Sequence, residues 1–453
     1  MKAVILAGGN GTRLWPYAQI RNKVMAPVAN RPLAAWAVDA AFEAGANEVI
    51  IAAGPHAAQI NHAFAGRERV RVVEVGRTQG AAFTLAAVKP YVDGDMLVLN
   101  GDTLYEPDDL QALVKRLQQG EPAVLLARLK EGEHHDYICA EADGDTLAAV
   151  EGHPLRAMGR RISAYALTPA FWPRIEACST LMADIPVGMM PPLEGFLEMV
   201  IADGLRAGVR IAAIDAAAPC VDVDKPWQLL AANHRQADRL CSAIEADHLG
   251  EGSAIDPSAH IEGHVVLGKN CTIGRNVLIE GNVIVGDNTE IVEGAMILGN
   301  AVIGSGCSIR HGCLIDGGSV IGNRCVVGHG AELGGVILDT VYLYHYMEFW
   351  GIIGRNTDLG AATVCGSLRF DNAETVHTVK GRRERPHHFA NAVYLGDFCR
   401  TGVNAILMPG VKTGVYSIVG PGVVLMEDLP DNKIIMVKQE TTLRDWSPDR
   451  YGW

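Results

Sequence analysis

Residues 253–285 read SAIDPSAHIEGHVVLGKNCTIGRNVLIEGNVIV, with an aliphatic residue at every sixth position: Ile255, Ile261, Leu267, Ile273, Ile279 and Val285. The series runs on without a slip through Ile291, Ile297, Ile303, Ile309, Ile315, Ile321 and Val327 to Leu333. Two residues before each stands a small or β-branched residue, from Ser253 and Ala259 to Cys325 and Ala331. No helix has a period of six, and no ordinary run of strands keeps phase for eighty residues. A hexapeptide repeat predicts a chain wound as a parallel β-helix, with the aliphatic side chains inward and the smaller ones at crowded corners. Such a coil is mostly scaffold. Its chemistry is to be sought upstream or at coil junctions.

The chain has 453 residues, too many for one core, so two or three domains are expected. A net charge of −13 argues against a nucleic-acid-binding surface and against an anionic membrane as partner. The opening MKAVILAGG is a strand running into glycines, not a signal peptide. No run of eighteen apolar residues follows, so a cytoplasmic protein is expected. The ten cysteines include no CxxC pair, and Cys271, Cys307, Cys313 and Cys325 fall on the small position of the repeat, as core residues.

Residues 1–230 alternate apolar runs (AVILA, EVIIAAG, MLVLNGD, AVLLARL, VRIAAI) with helical patterns such as LAAWAVDAAFEAG and DDLQALVKRLQQG. This alternation predicts an α/β domain with a parallel sheet covered on both faces. A connecting helix is expected over 231–250, drawn from PWQLLAANHRQADRLCSAIEA, and the β-helix over 251–453. The hexads break after Leu333 into an aromatic, out-of-phase segment, TVYLYHYMEFWGI. Repeat character resumes at Ile353 and Leu359 and again at Leu395, Leu407, Val419 and Leu425. Between them the polar, basic stretch 371–388 reads as a loop protruding from the coil. The tail 427–453, holding Trp446 and Trp453, is expected to order against something.

The first strand leads into LAGGNGTRLWPYAQIRNKVMAP. Gly8, Gly9 and Gly11 allow a sharp turn and present N–H groups to anionic oxygens. Arg13 and Lys23 add positive charge, one as a planar fork and one as a mobile point charge. Together they suit a triphosphate attacked at one phosphorus. The arrangement GGxGTRLxP with a following Lys resembles the nucleotidyltransferases that activate sugar 1-phosphates.

That resemblance implies a Rossmann-like domain and a set of site residues. Leu6, Ala7, Gly8, Gly9, Gly11, Thr12, Gln79 and Gly80 would bind the nucleotide. Arg13, Lys23 and Asp102 would be catalytic, Glu151 and Tyr165 would bind the sugar, and Asp102 with Asp222 would hold Mg²⁺. Asp224, where the family has glycine, stands as a competitor to Asp222. Arg161 and Ile138 also depart from the family's sugar-pocket elements. The implied reaction is in-line attack of a sugar-phosphate oxygen on the α-phosphorus of a nucleoside triphosphate, with UTP the expected donor. The choice among dTTP, CTP and GTP stays open, GTP because Trp15 also occurs in guanylyltransferases.

Along the whole chain the sequence resembles the archaeal-type bifunctional N-acetylglucosamine-1-phosphate uridylyltransferase/glucosamine-1-phosphate acetyltransferase family. The resemblance implies a left-handed β-helix and a homotrimer packed through it. The acetyltransferase position for a general base holds Tyr344, leaving His345 as the candidate base, and Asp358 and Ser367 replace two asparagines. Acetyl-CoA is therefore not an expected cofactor. A bifunctional acyltransferase and a non-catalytic nucleotide-sugar sensor are the rival readings.

Overall fold

In a computed structural model the chain is described over residues 1–135, 137–152, 154–180 and 194–448. Trp453 lies outside the described residues. The N-terminal half is one nine-stranded sheet. Its first four strands, in spatial order, are Val70–Glu74, Glu48–Ala53, Lys2–Ala7 and Met96–Asn100, all parallel. Their near-continuous aliphatic sequences match burial on both faces. Helices Leu33–Glu43 and Pro107–Gln118 cover one face. Helices Ala81–Ala87, Trp172–Glu176 and Leu197–Arg206 cover the other. The sheet is mixed rather than wholly parallel. Arg160–Leu167 runs antiparallel to both neighbours, Met96–Asn100 and Ala123–Arg128. The hairpin of Ile138–Asp143 and Thr146–Gly152 closes the far edge.

The expected connecting helix spans Pro226–Ser242, with Pro at its first turn, where a missing N–H costs nothing. The first repeat strand, His248–Leu249, already pairs with Val266–Leu267. The helix lies along the outside of the coils. Leu229, Leu230, Ala237 and Cys241 share a core with Val302, Val320, Val336 and Ile352 of the β-helix and with Tyr17, Val28 and Leu33 of the N-terminal domain.

The β-helix pairs each residue with the one eighteen further on, so three hexads make a coil. From Leu267 to Leu333 every sixth aliphatic residue is buried in one continuous core, and Ile255 and Ile261 pack on its open end. Corners such as GKN, GRN and GDN place Asn270, Asn276 and Asn288 at φ near +55°, a conformation asparagine tolerates better than most residues.

The break after Leu333 has a geometric cause. Leu333 pairs with Ile315 and Ile337 with Ile321, so six residues in one coil face four in the next. Gly334 and Gly335 run straight through where a corner stood, and the coil shortens to sixteen residues. The aromatic segment is therefore in phase after all, with Leu343 and Phe349 inward. Eighteen-residue coils return from Leu395 to Leu425.

The basic stretch 371–388 is not a free loop. His377–Val379 and Arg382–Glu384 form an antiparallel hairpin that folds back toward the connecting helix. Lys225 pairs with Glu384, and the His377 ring lies 4.8 Å from that of Trp227. The start of the tail packs on the last coils, where Leu429 is buried and Ile434–Ile435 pairs with Ile418–Val419, while Leu443 and Trp446 further on are exposed.

Side chains of the N-terminal domain also bond along the length of the β-helix. Asn30 Nδ2 donates to Ile321 O at 2.7 Å, Tyr17 Oη to Ile352 O at 2.9 Å, and Trp15 Nε1 to Asp431 Oδ1 at 3.0 Å. Arg21 pairs with the fully buried Asp397.

Candidate active site

Strand Lys2–Ala7 ends at the sheet's carboxyl edge, where open parallel sheets bind ligands. The turn that follows needs its glycines. Gly11 has φ +63°, and a Cβ there would stand 2.9 Å from the Cβ of Lys23. A Cβ on Gly8 would stand 2.6 Å from Thr84 Oγ1. The close approach at Gly11 brings Lys23 back beneath the turn that carries Arg13. Asn22 fixes this return, accepting from Val24 N and donating to Ala7 O and Pro55 O.

Asp102 lies just past strand Met96–Asn100. The chain after it, Thr103–Leu104, pairs antiparallel with Val221–Asp222, which sets Asp222 opposite Thr103. Asp224 follows two residues on. The three carboxylates present oxygens within 4.8 Å of one another. Lys23, 7% exposed, sits among them, 2.5 Å from Asp102 and in contact with Asp224. Arg13 Nη2 is 2.5 Å from Asp224 Oδ2. Two loops distant in sequence thus meet as alternating charges at the end of the sheet.

The charges set one another's proton affinities. Burial, reinforced by the negative charge of Asp224, pushes the Asp222 carboxyl up to about 6. Burial would raise Asp224 too, but Lys23 and Arg13 outweigh it and hold that carboxyl below the usual range. Burial works against the charge on Lys23, and Asp102 and Asp224 overcome it, keeping the ammonium charged.

The sequence ranked Asp222 above Asp224, whereas the structure brings both to the cluster, with Asp224 in contact with both Lys23 and Arg13. Leu6 and Ala7 close the strand, and Gly8, Gly9, Gly11 and Thr12 form the turn, as expected. Gln79 and Gly80 belong to a second loop, where Gln79 O accepts from Gly195 N and a Cβ on Gly80 would strike Gly195.

The two residues expected to bind the sugar lie apart from the carboxylate cluster in their contacts. Glu151 is half-exposed and paired with Arg156, which also holds Glu141. Tyr165 is 2% exposed and packs in the core under the sheet, so its ring offers no face to a ligand. The sequence noted Arg161 only as a departure. It is buried, 3.9 Å from Asp222 and 5.1 Å from the Tyr137 ring centroid, and is a third cation of the cluster beside Lys23 and Arg13. Its place in the strand facing Met96–Asn100 could have signalled this. His345 lies on the β-helix, its ring 4.2 Å from that of His329 and its Nδ1 buried without a hydrogen-bond partner.

Trp15, which kept a guanine nucleotide open, is accounted for by its bond to Asp431 on the β-helix.

The nucleotidyl transferase family matches residues 2–153, and the GMPPB C-terminal domain matches residues 244–338. Proteins named "Bifunctional protein GlmU" are similar along the whole chain. The one from Methanococcus vannielii is 26% identical over 447 residues, covering 98% of this chain and 99% of its own. That of Methanococcus maripaludis is 29% identical over 449 residues, with the same coverage. That of Methanocaldococcus jannaschii is 25% identical over 448 residues, again with the same coverage. A solved UDP-glucose pyrophosphorylase complexed with UDP-glucose is 16% identical, with a TM-score of 0.46 over 52% of this chain and 98% of that one. No helix among the described residues is long and apolar enough to cross a membrane. Carboxylates, lysine and arginine gathered at a glycine turn, in a chain similar end to end to these relatives, make this protein a GlmU-like sugar-1-phosphate nucleotidyltransferase.

Proposed function

We propose that the chain transfers a nucleotidyl group from UTP to a sugar 1-phosphate in a Mg²⁺-dependent reaction, releasing pyrophosphate, and that it works as a homotrimer joined through the β-helix. The observation that carries the reaction is the convergence of Asp102, Asp222 and Asp224 on Lys23 and Arg13 at the sheet edge. Three carboxylates with oxygens this close are a hard, all-oxygen donor set, which fits Mg²⁺. Asp102 and Asp222 would hold the ion, which when bound supplies positive charge to the phosphate oxygens. UTP is favoured by the full-length GlmU relatives.

The chain's own residues do the rest. The glycine turn offers backbone N–H groups to the triphosphate. Arg13 leaves Asp224 to clamp the leaving pyrophosphate, and Lys23 neutralises charge growing on the reacting phosphates. No side chain forms a covalent bond. The rate gain comes from positioning and fixed charge.

The test is a matrix of the four nucleoside triphosphates and dTTP against several sugar 1-phosphates, read by pyrophosphate release with Mg²⁺ and with EDTA. Release with UTP that EDTA abolishes is the expected result. No release from any pair would favour a nucleotide-sugar sensor instead. Release with another nucleotide alone would overturn the choice of UTP.

A further inference from the structure

The cations of the carboxylate cluster are unevenly answered. Lys23 lies 2.5 Å from Asp102 and also touches Asp224, and Arg13 Nη2 lies 2.5 Å from Asp224. Arg161 has no such partner. Its nearest carboxylate oxygen, on Asp222, is 3.9 Å away, too far for a hydrogen bond. Among the described residues it makes no hydrogen bond, and its other neighbour is the Tyr137 ring, whose centroid is 5.1 Å from the guanidinium carbon. Arg161 is 7% exposed, yet no nitrogen of it is sealed from solvent without a partner, as Arg21 Nη1 is. A guanidinium drawn this far out of water with its donors unused is costly, and a ligand that can reach it would supply the missing acceptor.

Its place along the sheet points to the ligand. Strands Lys2–Ala7, Met96–Asn100 and Arg160–Leu167 lie side by side in that order. The glycine turn with Arg13 follows the first and Asp102 follows the second. Arg161, one residue into the reversed third strand, starts from the same edge. The cluster is therefore flanked by Arg13 and Lys23 on the side of the turn and by Arg161 on the other. In phosphoryl transfer the entering and leaving oxygens stand roughly in line, on opposite sides of the phosphorus under attack. With the leaving pyrophosphate given to Arg13, the entering phosphate comes from the side that holds Arg161. Lys23 is committed to the reacting phosphates and Asp222 to Mg²⁺ in the proposed reaction, so Arg161 is the cation of the cluster left without a counter-charge. Glu151, tied to Arg156, and the buried Tyr165 do not compete for the same group.

We propose that Arg161 receives the phosphate of the sugar 1-phosphate, its planar fork holding the two free oxygens that do not attack and so aligning the third. This rests on the nucleotidyl-transfer reading and adds to it an acceptor-binding residue.

The experiment is steady-state kinetics on the full-length protein, with the nucleotide and acceptors that succeed in the substrate matrix, in wild type, Arg161→Gln and Arg161→Lys. Arg161→Lys keeps the charge beside Asp222 and loses the fork, so it carries the test alone if a thermal melt shows Arg161→Gln to be unfolded. KM for the acceptor should rise at least ~10-fold in Arg161→Gln, as for loss of a charge-assisted contact, and by a smaller measurable factor in Arg161→Lys. KM for the nucleotide should stay within about 2-fold of wild type, since only acceptor binding is lost. The rise should be the same for every sugar 1-phosphate that serves, because they share the phosphate. A rise confined to acceptors with a second anionic group would overturn the assignment to the phosphate. Equal rises in both KM values, which a merely structural Arg161 would give, or an unchanged acceptor KM would also overturn it. If the matrix releases no pyrophosphate, nucleotidyl transfer itself fails, and the contact is read by calorimetric titration of glucose 1-phosphate into the three proteins. Weaker binding in the variants then keeps the contact; equal binding, or none to any, removes it.

Discussion

Acid should loosen the inserted hairpin before the rest of the β-helix, through one histidine. His377 Nε2 lies 2.7 Å from Ala390 O and donates to it, so Nδ1 is left to accept from Lys412 Nζ at 2.9 Å. Lys412 is also paired with Asp428 at 2.8 Å, and the rings of Trp227 and Tyr394 close the site. A second proton on His377 would break the bond to Lys412 and set two buried cations side by side. Burial, with the charge of Lys412 adding to it, accordingly pushes His377 down to about 4 from its usual 6.5. When the hairpin opens, the ring regains its ordinary affinity. The open state then binds a proton that the closed state refuses, between pH 6.5 and about 4. The closed state is thus fully favoured above pH 6.5 and loses ground as pH falls. At about 1.4 kcal/mol per pH unit the whole window is worth roughly 3 kcal/mol, of which about 2 kcal/mol is lost by pH 5. The assay is hydrogen exchange at the amides of Val379 and Arg382, which pair across the hairpin beside its two-residue turn, compared at pH 7.5 and pH 5 after correction for intrinsic rates. Opening should be about 30-fold more populated at pH 5 in the wild type. In His377→Gln that extra dependence should vanish, because glutamine does not titrate. Identical pH dependence in the two proteins would refute the argument.

Other consequences can be checked directly. Asp102→Asn and Asp222→Asn should each lower turnover at least ~10²-fold with little change in melting temperature; near-normal turnover in Asp222→Asn beside a large loss in Asp224→Asn would move the metal to Asp224. Ile291→Asp buries an unpaired charge in the continuous core and should prevent the coils from forming, seen as loss of β signal in circular dichroism; a stable, fully assembled variant would contradict the inward frame. No acetyl transfer to glucosamine 1-phosphate or galactosamine 1-phosphate should be measurable while nucleotidyl transfer persists. Acetyl-CoA-dependent product that disappears in His345→Ala would reverse that reading.

The parts of the molecule legible in sequence are those set by local periodicity. The six-residue spacing placed every inward side chain from Leu267 to Leu333, because a coil repeats one local geometry. The glycine turn, Arg13 and Lys23 were legible because close backbone approach restricts residue type over a short span. The corner lost at Gly334–Gly335 was not, since dropping two residues shifts the phase and looks like an end of the repeat. The reversed strand Arg160–Leu167 has the same aliphatic content as its parallel neighbours, so composition could not give its direction. In the site, the weight given to Asp222 over Asp224 came from resemblance. Which carboxylate faces Lys23 depends on how two distant loops meet, and spacing along one of them does not contain that. The burial of Tyr165 was hidden for the same reason: its face of the strand is fixed by register with Met96–Asn100.

Solenoids ordinarily change length easily, because adding a coil disturbs only the neighbours on either side. Here the contacts of Asn30, Tyr17, Arg21 and Trp15 with Ile321, Ile352, Asp397 and Asp431 work as a ruler laid along the axis. A whole coil inserted anywhere between Ile321 and Asp431 would carry at least one mark away from its partner and pull on the loop that bears Arg13 and Lys23. Growth of this protein by repeat duplication is therefore confined to the two ends of the stack, below the connecting helix or beyond Asp431. Relatives with longer β-helices should carry their extra coils there and keep the measured interval unchanged.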